Sequence, residues 1–413
     1  MRKSFGKRLA AMVVSVLMLV TVLGGCADSA SGGNSVVTSD GKVQISFWHS
    51  MSGNNQEVLD QIVEGFNASQ DQYVVNMANG AGSAHIIQIG EQNLQSMIDS
   101  GMIASISDLI EKYDFDDSDL LEQVVNFYTV NDTLYVMPFN CSSPVVYYNK
   151  GVFDAAGYTE FPSTFEGISE AAAAIAAQND SITPVGMYAY GYALDQMVTN
   201  MGGYIINNEN GRASRATEVS YQDQITQIYD WIKSLQDAGY LLNYGTDGTN
   251  TISGFTQQQI GMFIASSASA RNVIDSSEFE VGIAPLPVPE GVEAQGVYAG
   301  GGALCAAAGM EVQAEWATGT GYFPICHGAY ETETMQNTYA ELPQLEVAAQ
   351  QLLNSQVNSI TAGPLLSQLP QLRTDLQSAL EAVFNGSDVA SAVEQAVSST
   401  NSAITSANEG VAN

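Results

Sequence analysis

The sequence predicts an α/β protein in two lobes, on three observations. A strand, an amphipathic helix and a second strand follow one another between Lys42 and Ala78. Strand-like runs go on alternating with helical ones toward the C-terminal region, through a middle rich in Pro and Gly. About 370 residues lie beyond position 41, more than one hydrophobic core comfortably organises.

Arg2, Lys3, Lys7 and Arg8 precede an apolar run from Leu9 to Leu23, the pattern of a secretory signal over residues 1–25 and too short for a membrane span. It ends in Leu23-Gly24-Gly25-Cys26, which resembles the bacterial lipobox. The expected product starts at a lipid-modified Cys26 on the outer face of the cell membrane, with the Gly- and Ser-rich residues 26–41 as a flexible tether. Loss of residues 1–25 removes four of the 12 basic residues and none of the 44 acidic ones, leaving 8 against 44 and a net charge of −36. Such a chain is a poor match for nucleic acid or an anionic membrane surface, so its expected membrane contact is the lipid anchor alone.

Lys42–Trp48 alternates as a strand and HSMSGNN follows as a loop. Val58, Leu59, Ile62, Val63 and Phe66 then share one helical face, opposite Asp60, Gln61 and Glu64. QYVVNMA is the second strand, and Ser83–Ile89 leads into a helix carrying Leu94, Met97 and Ile98. The acidic run DFDDSDLLE lacks the glycine and spacing of a calcium loop and predicts a solvated helix start. Ile225, Ile228, Trp231, Ile232 and Leu235 mark another amphipathic helix, while IGMFIASSAS, FEVGIAPLP and QGVYAGGGALCAAA are strand-rich. Leu369–Val397 has a helical pattern with a loose polar end. The alternation predicts parallel sheets, whose ligand crevice lies beyond the carboxyl ends of the strands. Asn140-Cys141-Ser142-Ser143, small and polar between Pro138 and Pro144 and just ahead of the β-forming VVYY, suits such a crevice.

Cys141, Cys305 and Cys326 show no CxxC spacing and no His cluster joins them, so neither a metal site nor a cofactor is implied. They are expected as buried small residues, with a Cys305–Cys326 pair left open. His49, His85 and His327 lack motif partners, and no GxSxG, HExxH or Ser-x-x-Lys pattern occurs, so the chain is not expected to be an enzyme.

FWHSMSG at 47–53, MPFNCSSPVVYYNKGVFDAAGY at 137–158, GMFIASSAS at 261–269, GGA at 301–303, GYFPI at 321–325 and LPQLR at 369–373 together resemble the extracellular solute-binding proteins of ABC importers, most closely the glycerol-3-phosphate-binding branch. The resemblance implies a two-lobed periplasmic-binding-protein-like clamshell of type II with a hinge between lobes. Residues 42–140 and 266–320 would form the first lobe, 141–265 and 321–405 the second, and 406–413 a tail. Pro144–Tyr148 would be the first crossing strand, with Ser142 where the lobes meet. A monomer would capture sn-glycerol-3-phosphate or a glycerophosphodiester and deliver it to the permease subunits; an oligosaccharide is the alternative ligand.

Carried over position by position, the resemblance implies a site of Glu91, Ser142, Ser266, Gly302, Tyr322 and Arg373. Tyr190 and Tyr192 of YAYGYALDQ stand where the branch has a pair of tryptophans. The Arg373 guanidinium offers a planar fork matched to phosphate. Ser142, Ser266 and the Gly302 N–H are compact donors, and Glu91 can accept from glycerol hydroxyls. Arg373 would serve ligand rather than core, so its replacement is expected to cost binding and spare folding. The family's helix between Tyr73 and Glu91, and a second between Gly309 and Trp316, are expected to be missing, each of which would cover a sheet face.

Overall fold

A computed structural model describes residues 41–78, 85–101, 103–304 and 316–411. The signal, the tether, Cys26, Cys305 and residues 79–84 and 305–315 lie outside the described residues, and with them parts of the two segments, Tyr73 to Glu91 and Gly309 to Trp316, expected to lack a helix.

Two five-stranded sheets, each with helices packed against it, make two lobes. The first sheet comprises β1 (Val43–Trp48), β2 (Tyr73–Ala78), β3 (Ile86–Gly90), β6 (Met137–Ser142) and β12 (Gly300–Leu304), in the order β2-β1-β3-β12-β6. A two-stranded hairpin, β4 (Thr129–Val130) with β5 (Thr133–Leu134), precedes β6. The second sheet, ordered β11-β7-β10-β8-β9, comprises β7 (Pro144–Asn149), β8 (Thr183–Met187), β9 (Leu241–Asn243), β10 (Ile260–Ser266) and β11 (Val281–Ala284).

The sheets are mixed, not parallel as the alternation suggested. β1–β3, β8–β10 and β8–β9 pair parallel, but β12 runs antiparallel to β3 and β6, and β7 antiparallel to β10 and β11. The reversed strands adjoin the crossings between sheets. β6 ends at Ser142 and β7 begins at Pro144, so a single residue, Ser143, passes from one sheet to the other. A chain that crosses without an intervening helix is not held to the parallel βαβ geometry. β11 leads into β12 through residues 285–299, the second crossing. β11 therefore belongs to the second sheet, although the expected partition put residues 266–320 in the first lobe.

The crossings are tied down by buried amides. Gln351, on the helix α5 (Glu346–Leu353), donates to the Pro144 carbonyl at 2.9 Å and to Ser143 Oγ at 3.2 Å, and its Oε1 accepts from the Leu286 N–H at 2.7 Å. Gln196, on α3 (Gly191–Asn200), brackets the backbone of Tyr298, donating at 2.9 Å and accepting at 3.1 Å. These side chains pair backbone groups in and beside the crossings, at Pro144, Leu286 and Tyr298.

Of the remaining helices, α1 (Gly53–Ser69) packs on the first sheet beside the cluster of Phe47, Met51, Leu59, Phe139, Leu304 and Trp316. Its expected apolar face is only partly covered, with Leu59 buried and Phe66 40% exposed. α2 (Phe165–Gln178) and α4 (Gln222–Asp237) meet where Trp231 stacks on Phe165 at 4.3 Å. The C-terminal pattern resolves into α6 (Leu369–Phe384) and α7 (Val389–Val411). α7 outruns the end expected from its polar sequence and includes most of the expected tail at 406–413. Ile404 is buried and Thr400 donates to Asp375 at 2.8 Å, so tertiary contacts hold a stretch with little apolar periodicity of its own.

Candidate functional site

Strand ends and helix starts from both sheets converge on a cavity of about 390 Å³. Ser142 closes β6, Ser266 closes β10, Glu91 opens the short turn after β3, and Arg373 sits in the second turn of α6. Leu369, Leu372 and Leu376 bury the apolar face of α6 and so hold Arg373 in place. Tyr190 and Tyr192 lie at the start of α3, and Tyr322 follows the helical turn after Trp316.

Seven of the eight residues singled out in the sequence thus face one space: Glu91, Ser142, Tyr190, Tyr192, Ser266, Tyr322 and Arg373. Gly302 does not. It is buried between Gly90 of β3 and Asn140 of β6, and its neighbour Gly301 lines the cavity instead. Gly301 has φ of 94° and lies tight against the Asn140 carbonyl, so a side chain there would be both strained and obstructed.

Arg373 is not a free cation awaiting a ligand. Its Nε donates to Asp195 Oδ2 at 2.7 Å, its Nη1 to Glu91 Oε1 at 2.6 Å and its Nη2 to the Tyr298 hydroxyl at 2.9 Å. The guanidinium also lies over the Tyr192 ring, 4.9 Å from its centre. The Arg373 side chain is 12% exposed, Glu91 4% and Asp195 0%. Burial works against the charge on Arg373, but Asp195, Tyr298 and Glu91 outweigh it and hold its pKa above the ordinary value. Burial raises the Asp195 carboxyl to about 6, against the opposing pull of Arg373. Arg373 thus lines the cavity and also pairs two buried carboxylates, so its replacement is expected to cost stability as well as binding.

Tyrosines build the wall. Tyr188 stacks on Tyr190 at 4.9 Å, and Tyr190 meets Tyr192 edge-on at 5.6 Å. The Tyr192 hydroxyl donates to the Ser142 carbonyl at 2.9 Å, joining the start of α3 to the end of the first sheet. Opposite them Tyr322 stacks on Trp316 at 5.5 Å, which stacks on Phe139 at 5.2 Å. Burial raises the pKa of the Tyr190, Tyr192 and Tyr322 phenols, leaving neutral hydroxyls with an apolar face.

Sequence reasoning missed Asp195 and Tyr298. Asp195 gave one signal, an acid inside the otherwise uncharged helix GYALDQMVTN; Tyr298 gave none. His49, in the loop after β1, accepts from the Met51 N–H at 3.2 Å. Cys141 and Cys326 are buried free thiols. Among the described residues no cluster of His, Cys, Asp and Glu could hold a metal ion, and no helix is long and apolar enough to cross a membrane.

The cavity can thus present a caged cation, one carboxylate, two serine hydroxyls and an aromatic wall, with a second carboxylate, Asp195, buried behind the cation. Residues 54–308 match the family model described as bacterial extracellular solute-binding protein. The sn-glycerol-3-phosphate-binding periplasmic protein UgpB of Yersinia pseudotuberculosis is 28% identical over 83% of this chain and 88% of its own length. Its namesake in Brucella abortus is also 28% identical, over 89% and 94%. Among solved structures, UgpB from Mycobacterium tuberculosis in complex with glycerophosphocholine superposes with a TM-score of 0.74 at 17% identity, covering 89% of this chain and all of that one. The GacH receptor of Streptomyces glaucescens, solved unliganded and with acarbose, gives 0.71 at 18% identity, covering 87% and 97%.

Proposed function

Because this chain belongs to the bacterial extracellular solute-binding proteins, we propose that it captures sn-glycerol-3-phosphate or a glycerophosphodiester and hands it to the permease of an ABC importer. One observation carries the choice of ligand: a buried arginine opens on the same cavity as two serine hydroxyls and three tyrosines, in a chain with few cations. A guanidinium in a dry setting gives a phosphate charge-assisted bonds roughly twice as strong as neutral ones. Ser142 and Ser266 supply further donors to phosphate oxygens. Glu91 accepts from glycerol hydroxyls, and Tyr190, Tyr192 and Tyr322 cover the carbon skeleton. The curated relatives named for glycerol-3-phosphate binding support this reading.

The protein acts as a carrier, not a catalyst, working as a monomer held outside the membrane by lipid on Cys26. Ligand draws the two lobes together about Ser143 and residues 285–299. The test is calorimetric titration with sn-glycerol-3-phosphate, glycerophosphocholine and maltotriose, with solution scattering at saturation. The reading expects heat from a phosphate compound and a smaller radius of gyration; binding of the sugar alone would replace it with an oligosaccharide carrier. Cys26→Ser should shift the protein from the membrane fraction to the medium, and unchanged retention would remove the anchor.

A further inference from the structure

Arg373 faces two carboxylates that differ in how they are held. Asp195 lies on α3, which packs against α6, the helix of Arg373 itself. The helices touch so closely that a Cβ at Gly191 would stand 2.5 Å from the Arg373 carbonyl oxygen. The Nε–Asp195 bond therefore lies inside one packed unit, and breaking it means unpacking two helices. Glu91 instead comes from the turn after β3 in the first sheet, which packs less extensively on α6 than α3 does, and it lines the cavity beside Arg373.

The charges do not balance. Two carboxylates and one guanidinium leave a net negative charge in a buried setting, and an anionic ligand at Arg373 would add another. Coulomb repulsion between like charges at hydrogen-bond distances in a poorly hydrated site is large compared with what a few neutral donors recover. An anion can enter favourably only if one carboxylate withdraws. Glu91 is the one placed to do so, since it lines the cavity and its turn packs less extensively on α6, whereas Asp195 is fully buried on α3.

We infer that Asp195 is the permanent counter-ion of Arg373 and Glu91 an exchangeable one, an internal competitor that an anionic ligand displaces from Nη1. This rests on the proposed function, and it changes the part assigned to Glu91 from hydroxyl acceptor to gate. Asp195 is a positioning residue: it orients the guanidinium plane and does not itself touch ligand. The Glu91–Arg373 pair also links an element of the first sheet to α6, at the place proposed for the ligand.

The experiment titrates wild type and Glu91→Gln with sn-glycerol-3-phosphate and glycerophosphocholine, with thermal unfolding of both proteins as the check on folding. The substituted amide keeps the length and a hydroxyl-accepting oxygen but loses the charge, so affinity for at least one phosphate compound should rise, by about tenfold for each 1.4 kcal/mol of competition removed. Affinity equal to or below that of wild type overturns the inference. Should Glu91→Gln fail to fold, Glu91→Asp decides: the shorter carboxylate reaches Nη1 less well, so tighter phosphate binding than wild type supports the exchange and equal or weaker binding overturns it. If wild type binds neither phosphate compound, the proposed function fails, an outcome separate from a Glu91→Gln that merely binds no better.

Discussion

Gly191 and Arg373 meet backbone to backbone. A Cβ on Gly191 would lie 2.5 Å from the Arg373 carbonyl oxygen and 2.6 Å from its Cβ, so the start of α3 rests directly on the second turn of α6. That contact brings Tyr190, Tyr192 and Asp195 around the guanidinium at once. Gly191→Ala should overpack it, costing roughly 1–3 kcal/mol of stability and loosening the ion pair. Urea unfolding and ligand titration measure the two effects, and an alanine variant with wild-type values in both would show that the helices can part at no cost.

Arg373→Ala should destabilise the protein as well as abolish phosphate binding. It leaves Asp195 and Glu91 buried without their cation, a loss on the order of 3–5 kcal/mol for a broken buried pair. Arg373→Lys should fall between, since one ammonium keeps the charge but cannot bond Asp195, Glu91 and Tyr298 in a fork. Denaturant midpoints of the two variants, compared with wild type in the absence of ligand, check the order.

Asp195 sets a pH dependence whose sign follows from its raised pKa. The carboxyl titrates near 6 in the fold against an ordinary 3.8, so the fold binds the proton more tightly than the unfolded chain does. Its contribution is fully present below about 3.8 and is lost as pH rises through 6, an amount on the order of 2–3 kcal/mol. Ligand-free wild type should lose stability between pH 4 and 6.5 more steeply than Asp195→Asn, which lacks the group. Parallel curves for the two proteins would assign the slope to the other acids of the chain.

Gln351→Ala should loosen the hinge. The amide serves Pro144, Ser143 and Leu286 together, so its removal leaves backbone groups of both crossings unpaired, at roughly 1–3 kcal/mol. Amide exchange should accelerate at Leu286 and near Ser143 before it does in β10. Uniform acceleration across the second sheet would mean that the side chain stabilises the lobe and not the crossing.

The elements and most of the cavity wall are legible in the order of amino acids alone. Strand and helix periodicities stand out where one face is buried, as in Ile225–Leu235, and the short polar runs at Ser142 and Ser266 show because they interrupt apolar strands at their ends. Strand direction is not legible there, because β7 and β12 take theirs from crossings of the chain between sheets, which no local pattern encodes. The state of Arg373 is likewise a product of the assembled fold. Asp195 and Glu91 lie 178 and 282 residues from it along the chain, and a charge pair formed over such separations follows from which helices pack together, not from any spacing the sequence displays.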